Sequence, residues 1–233
     1  MKNKKPSVFI DLDNTIMDFN IAEQNSLTRT LLDINIQPTD EMMRLYSKLN
    51  IMQWEQLERG EITREEILER RFVPFFEALG IDADSTKAEK IYEEYLCQSS
   101  YMIDGALELL EALYKDYDLY VASNGIGFVQ ERRLNGAGIK KYFKHIFISE
   151  DLGFNKPDRR FFLRCFETMR EISPERCIIV GDSLTSDILG GINAGIKTVW
   201  FNPHKAEGKT DIVPDYEISE LSQLPRLLKD VFA

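Results

Sequence analysis

The chain has 233 residues, a formal net charge of −10 and 43% hydrophobic residues. A chain of this composition can bury a core, and its length predicts a domain that carries a sizeable insertion. The acidic balance argues against a nucleic-acid partner, because a duplex binder needs a basic face. A membrane span is excluded as well, since no segment approaches the roughly 20 uninterrupted apolar residues that it needs.

The N-terminal half of the chain predicts one strand followed by a long helical block. Residues 1–6 are basic, yet the apolar stretch after them is short and meets acids at once, which is not the pattern of a signal peptide. A cytoplasmic location is therefore expected. The β-rich run Ser7–Ile10 predicts a buried strand that ends in a polar loop. Residues 19–102 carry helix formers at helical spacing and no convincing strand.

After residue 105 the pattern changes to short strands that alternate with helices, which is typical of βαβ units and a parallel sheet. Predicted strands are 119–122, 146–148, 177–180, 197–200 and 216–218. Predicted helices are 106–115, 127–135, 158–170, one near 187–193 and a closing helix with Pro225 in its first turn. We therefore predict an α/β, doubly wound (Rossmann-like) core of residues 1–18 and 103–233, with a helical domain of residues 19–102 inserted after the first strand.

Polar clusters follow the predicted strands, and ligands of open α/β sheets bind outside the carboxyl ends of the strands. The first cluster contains Asp11 and Asp13. Two acids one residue apart can simply start a turn, but a buried strand has little reason to end in two acids. A nucleophile and a general acid/base would make use of both carboxylates.

The second and third clusters supply groups that suit a phosphate. Ser123 and Asn124 precede Gly125, and Lys156 precedes a proline. Ser-Asn-Gly is also a common turn sequence, and a lysine ahead of a helix is commonly an ordinary surface residue. Functionally, the hydroxyl and nearby backbone N–H groups would bind phosphate oxygens. An inward-pointing Lys156 would offset negative charge on Asp11 and on the phosphate.

The fourth cluster contains Asp182 and Asp187 and suggests a metal. Asp187 in the first turn of a helix also suits the helix dipole. Carboxylates gathered at adjacent strand ends would repel by roughly 4 kcal/mol for a pair about 4 Å apart at an effective dielectric near 20. A cation offsets this repulsion, and Mg²⁺ prefers carboxylate oxygens. Zinc does not fit, because both histidines and all three cysteines, which are expected to be reduced, lie outside the four clusters.

Taken in order, these clusters resemble the four motifs of the haloacid dehalogenase-like hydrolase superfamily, and the resemblance covers essentially the whole chain. It implies an aspartyl-phosphate mechanism with Asp11 as the nucleophile and Asp13 as the general acid/base. Lys156 is implied as a further catalytic residue. The implied phosphate contacts are Ser123, Asn124 and Lys156. The implied Mg²⁺ ligands are Asp11, the Asp13 carbonyl and Asp182, with Asp187 supporting the metal.

The resemblance also narrows the reaction and the substrate. The acid at position 13 favours phosphoryl transfer, because the dehalogenase and phosphonatase branches carry no acid there. The helical block resembles the cap domain that closes over the site in one branch. Residues 54–64, 71–72 and 200–203 resemble cytoplasmic pyrimidine 5′-nucleotidases, which implies a pyrimidine nucleoside monophosphate as the substrate.

Two alternatives stay open at this point. One is a sugar-phosphate or phosphoglycolate-type phosphatase, or a phosphomutase, of the same fold. The other is a non-enzymatic phospho-ligand module, since receiver-like modules also use strand-end aspartates with Mg²⁺. A receiver is much shorter and has no reason to carry the helical block. The sequence indicates no oligomeric state.

Overall fold

The chain divides into two compact units. The computed structural model describes residues 5–169, 173–208 and 211–233. One unit, the sheet unit, runs to Asp18 and resumes at Met102, and the other, the helical unit, is Phe19–Tyr101. The sequence placed Met102 at the end of the helical block, but the residue forms an isolated β-bridge with Met17 and groups with the sheet unit.

The described residues form six strands and eleven α-helices. Strands β1 to β6 are Ser7–Ile10, Asp118–Ser123, Phe143–Ile148, Cys177–Gly181, Lys197–Phe201 and Tyr216–Ile218. Helices α1 to α5, in the helical unit, are Phe19–Asp33, Asp40–Glu58, Arg64–Arg70, Val73–Leu79 and Ser85–Gln98. Helices α6 to α11, in the sheet unit, are Ala106–Leu113, Gly127–Gly136, Ser149–Leu152, Arg159–Met169, Leu189–Ala194 and Leu224–Val231.

The sheet is parallel throughout, with strand order β3-β2-β1-β4-β5-β6. Its central strand β1 is fully buried because helices cover both faces, which explains its uninterrupted apolar run. Val8 packs in one core cluster with Leu110 of α6 and Leu228 of α11, whereas Phe9 packs in the other with Phe161 of α9. The winding direction reverses between β1 and β4, which creates the switch point where α/β sheets bind ligands. The predicted doubly wound α/β fold class is confirmed.

The helical unit is held together by an aromatic core and a buried ion pair. Tyr46, Phe72 and Tyr92 are almost fully buried, with ring centroids 5.1–5.6 Å apart. Arg71 pairs with Glu89 in the same interior. As expected from the helical spacing, residues 19–101 contain no strand. Within the described ranges, no helix is both long enough and apolar enough to cross a membrane.

The observed helices differ in detail from the predicted ones. Helix α6 ends at Leu113, because the chain turns there toward β2 through a hydrogen bond from the Asp116 N–H to the Leu113 carbonyl of 3.0 Å. Helix α8 has only four residues, too few to show a period, and was not predicted. The predicted helix 158–170 spans Arg159–Met169, and residue 170 lies outside the described residues. A π-helical segment, Leu184–Ile188, precedes α10.

Candidate active site

The loop after β1 holds Asp11 at the carboxyl end of the sheet. The Asp11 N–H donates to the Val180 carbonyl of β4 at 2.9 Å, so the backbone of Asp11 still belongs to the sheet edge. The chain then turns back, because the N–H groups of Ile16 and Met17 both donate to the Leu12 carbonyl at 3.1 and 2.8 Å. Asp11 is only 7% exposed. A rigid, buried setting thus surrounds the predicted nucleophile.

Lys156 points into the sheet edge and contacts Asp11 directly. Its Nζ donates to Asp11 Oδ1 at 2.8 Å, to Asp187 Oδ1 at 2.5 Å and to the Ala122 carbonyl at 2.6 Å. These three acceptors match the three protons of an ammonium group. Burial alone would lower the pKa of Lys156, but the charges of Asp11 and Asp187 outweigh it and raise the pKa. Lys156 is therefore a buried cation and not a surface lysine.

Asp182 and Asp187 follow β4 and approach Asp11. Asp187 is 1% exposed, and its Oδ2 accepts from the Ser183 N–H at 3.2 Å. A Cβ atom at Gly181 would overlap the Asp187 carboxyl group, so the glycine makes room for this acid. Each of Asp11, Asp182 and Asp187 offers a carboxylate oxygen within 4.8 Å of the others. The predicted convergence of these three acids is present in the structure.

The electrostatics of this acid cluster favour a divalent cation. Burial, together with the charges of Asp187 and Asp13, raises the pKa of Asp11 to about 7 against the lowering effect of Lys156. Burial, followed by the charges of Asp11 and Asp187, holds the pKa of Asp182 well above its usual range. One ammonium cannot balance the two buried carboxylates of Asp11 and Asp187 and the partly buried Asp182. The all-oxygen donor set fits Mg²⁺, which prefers oxygen ligands and commonly takes one or two carboxylates.

Ser123 and Asn124 lie beside Lys156 and have different contacts. Ser123 Oγ accepts from the Gly125 N–H at 3.0 Å and from Gln130 Nε2 at 3.1 Å, which leaves its own proton to donate to a phosphate oxygen. Asn124 Nδ2 donates to the Lys156 carbonyl and Oδ1 accepts from the Lys156 N–H, both at 2.9 Å. The Asn124 side chain thus positions the Lys156 loop. Its phosphate contact stays a prediction.

Asp13 lies outside the acid cluster and contacts two residues of α7. Gln130 Nε2 donates to Asp13 Oδ2 at 2.6 Å, and Arg133 Nη1 donates to Asp13 Oδ1. Gln130 is 2% exposed and Arg133 is 1% exposed. The sequence reasoning missed both residues. The one signal available was their spacing of three positions on a helix that begins at Gly127, shortly after Ser123, because such residues share a helix face.

Comparisons with known proteins agree with this geometry. Residues 8–201 match the family described as haloacid dehalogenase-like hydrolase. The crystal structure of HAD-hydrolase YfnB from Bacillus subtilis bound to magnesium, which reveals interdomain movement, superimposes with a TM-score of 0.92 at 37% identity, covering 97% of this chain and 100% of that one.

Two relatives carry the name pyrimidine 5′-nucleotidase. PynA of Streptococcus pneumoniae is 38% identical over 93% of this chain and 92% of its own length. YjjG of Escherichia coli is 32% identical over 75% of this chain and 77% of its own length. The match over residues 8–201, together with relatives of this identity, shows that the chain belongs to the haloacid dehalogenase-like hydrolase family.

Proposed function

We propose that the chain is a Mg²⁺-dependent phosphatase that transfers the phosphoryl group of a phosphate monoester to Asp11 and then to water. The observation that carries this proposal is the position of Asp11, which is buried at the switch point and contacts Lys156 Nζ at 2.8 Å. Asp182 and Asp187 lie within reach of the same point. A carboxylate, a cation and a candidate metal site are the groups that phosphoryl transfer to an aspartate requires.

In the proposed first step, a carboxylate oxygen of Asp11 forms a bond to phosphorus, and the bond from phosphorus to the ester oxygen breaks. Lys156 Nζ donates to Oδ1 at 2.8 Å, whereas Oδ2 accepts only a longer hydrogen bond from Thr15 Oγ1 at 3.4 Å, so the proposed attacking atom is Oδ2. Asp13 protonates the leaving oxygen. The Lys156 ammonium and the Ser123 hydroxyl neutralise and orient the phosphoryl oxygens. The products of this step are an alcohol and an aspartyl-phosphate.

In the second step, water attacks the phosphorus of the aspartyl-phosphate while Asp13 accepts a proton from that water. Inorganic phosphate leaves, and Asp11 is restored. Asp11, Asp182 and the Asp13 carbonyl would hold Mg²⁺, with Asp187 in support. The bound ion supplies positive charge that offsets the negative charge of the phosphate oxygens. Asp11 and Lys156 act in both steps, so both residues are required for turnover.

We propose pyrimidine nucleoside monophosphates as the substrates. This assignment is supported by the two relatives named pyrimidine 5′-nucleotidase, one of which aligns with 93% of this chain. In the same proposal, the helical unit Phe19–Tyr101 acts as a cap domain that selects the phosphate ester. The leaving group is then the 5′ oxygen of a ribose or deoxyribose.

A phosphate-release assay tests the proposal. We expect release from UMP or dTMP with Mg²⁺, little release with EDTA, and slower release from glucose 1-phosphate and glycolate 2-phosphate. Asp11→Asn should lower turnover at least about 10³-fold while its thermal unfolding remains cooperative. Faster release from the sugar phosphate would favour the alternative substrate class. Near-normal turnover of Asp11→Asn would refute the role of Asp11.

A further inference from the structure

Helix α7 carries two buried polar side chains that form one network with Asp13 and Ser123. Gln130 Nε2 donates to Asp13 Oδ2 at 2.6 Å and to Ser123 Oγ at 3.1 Å. Gln130 Oε1 accepts from Arg133 Nη1 at 2.9 Å, and the same Nη1 donates to Asp13 Oδ1. A single amide therefore bridges the proposed acid/base and a proposed phosphate-binding hydroxyl.

The network has a defined amide orientation. Because Gln130 Oε1 accepts from Arg133, which can only donate, the Nε2 group must face Asp13 and Ser123. The preceding loop also makes room for this side chain. A Cβ atom at Gly125 would overlap the Gln130 amide, so the glycine of Ser-Asn-Gly admits Gln130 to its position.

Burying these groups is costly unless they are paired. Gln130 is 2% exposed and Arg133 is 1% exposed, whereas the Asp13 side chain is 27% exposed. A buried guanidinium needs a hydrogen-bonded anion, and Asp13 supplies that charge. Without the contacts from α7, Asp13 would be a partly exposed side chain on a loop, able to adopt several rotamers.

We propose that Gln130 and Arg133 are positioning residues that hold the Asp13 carboxyl group in register with Ser123. The protonated carboxyl group gives its proton to the leaving oxygen, and the carboxylate that remains pairs with Arg133. This inference rests on the phosphatase function proposed above. General acid catalysis contributes about 10²- to 10⁴-fold when the leaving group needs a proton. An alkyl ester such as a nucleotide needs that proton, whereas the p-nitrophenolate leaving group does not.

The test compares kcat/KM for UMP and for p-nitrophenyl phosphate, since kcat/KM reports the step in which the leaving group departs. Gln130→Ala should lower the value for UMP by about 10²-fold and the value for p-nitrophenyl phosphate by much less. Gly125→Ala, which displaces Gln130 from the loop side, should show the same selective loss. Arg133→Lys, which keeps the positive charge that pairs with Asp13, should retain more UMP activity than Arg133→Gln, which keeps only a neutral donor.

Arg132 provides a matched control on the same helix. It is exposed, whereas its neighbour Arg133 is buried. Arg132→Gln should leave both kcat/KM values unchanged. Asp13→Asn should show the same selective loss as Gln130→Ala, and the double variant should lose little more than Asp13→Asn alone, because both changes act on one proton transfer. Thermal melting of each variant reports its folding separately.

The outcomes separate this inference from the proposed function. Wild-type protein that releases no phosphate from either ester would refute the phosphatase function, and the positioning role with it. An active wild type with equal losses on both esters in Gln130→Ala would refute the positioning role alone. Additive losses in the double variant would refute it as well.

Discussion

Replacing Lys156 with methionine removes a buried charge while keeping a side chain of similar length. The ammonium lies 2.8 Å from Asp11 Oδ1 and 2.5 Å from Asp187 Oδ1. At an effective dielectric near 20, these attractions amount to about 6 and about 7 kcal/mol. Lost hydration offsets most of it, and removing one partner of a buried pair typically costs about 3–5 kcal/mol. For a chain of this size, the expected fall in Tm is roughly 6–20 °C.

The fall in Tm caused by Lys156→Met should depend on pH. The folded-state pKa of Asp11 is already raised to about 7, and without Lys156 it rises further. Because the pKa of Asp11 is higher in the folded chain than in the unfolded chain, the ionised carboxylate destabilises the fold. This penalty disappears as the pH falls towards the pKa that Asp11 has in the unfolded chain. The Tm difference between wild type and Lys156→Met should therefore be largest near pH 8 and should shrink towards pH 5.

Thermal melts followed by circular dichroism, with EDTA present, measure this difference. Lys140→Met is the matched control, because Lys140 pairs with Glu131 at 2.6 Å on the surface, with side chains 44% and 58% exposed. A surface pair of this kind contributes about 0–1 kcal/mol. If Lys156→Met loses no more Tm than Lys140→Met, or if its loss is the same at pH 5 and pH 8, the electrostatic reasoning is wrong.

Three further predictions concern the metal, the helical unit and the thiols. Mg²⁺ should raise the Tm more at pH 8 than at pH 5.5, because protons compete with the metal for Asp11 and Asp182, whose pKa values are raised; equal shifts at both pH values would contradict this. Arg71→Met should lower the free energy of unfolding in urea by about 3–5 kcal/mol, and adding Glu89→Leu should recover most of that loss, since the pair is buried; a double variant as unstable as the single one would argue against it. Burial raises the pKa of the Cys177 thiol to about 12, so iodoacetamide at pH 8 should modify Cys177 only after denaturation. Peptide mass spectrometry measures the modification, and rapid labelling of the native protein would refute this expectation.

The sheet could be predicted from the sequence because buried parallel strands have a distinct pattern. Ser7–Ile10 and Cys177–Gly181 are short apolar runs that end abruptly at acids, and both lie in the centre of the sheet. The carboxyl ends of adjacent parallel strands lie at one edge of the sheet. The residues that directly follow these strands therefore lie close together, whatever the conformation of the loops. The sequence therefore predicts that Asp11 and Asp182 lie side by side.

The contacts of α7 could not be predicted in the same way. Polar residues three positions apart on a helix are equally typical of a solvated face. Arg132 and Arg133 are adjacent residues of the same type, yet Arg132 is exposed and Arg133 is buried. Only the packing of α7 beside the β1 loop distinguishes them. The sequence does not determine the side-chain direction of Lys156 either, because a lysine that precedes a helix can point into the protein or into solvent.

Trapping the covalent intermediate tests the central claim, that Asp11 accepts the phosphoryl group. Turnover of UMP with Mg²⁺ is quenched with borohydride, which reduces an acyl phosphate to an alcohol, and the peptide that contains residue 11 is sequenced by mass spectrometry. The account predicts homoserine at position 11 only when both substrate and Mg²⁺ are present. Phosphate release with Asp11 unreduced, or with reduction at another carboxylate, would contradict it.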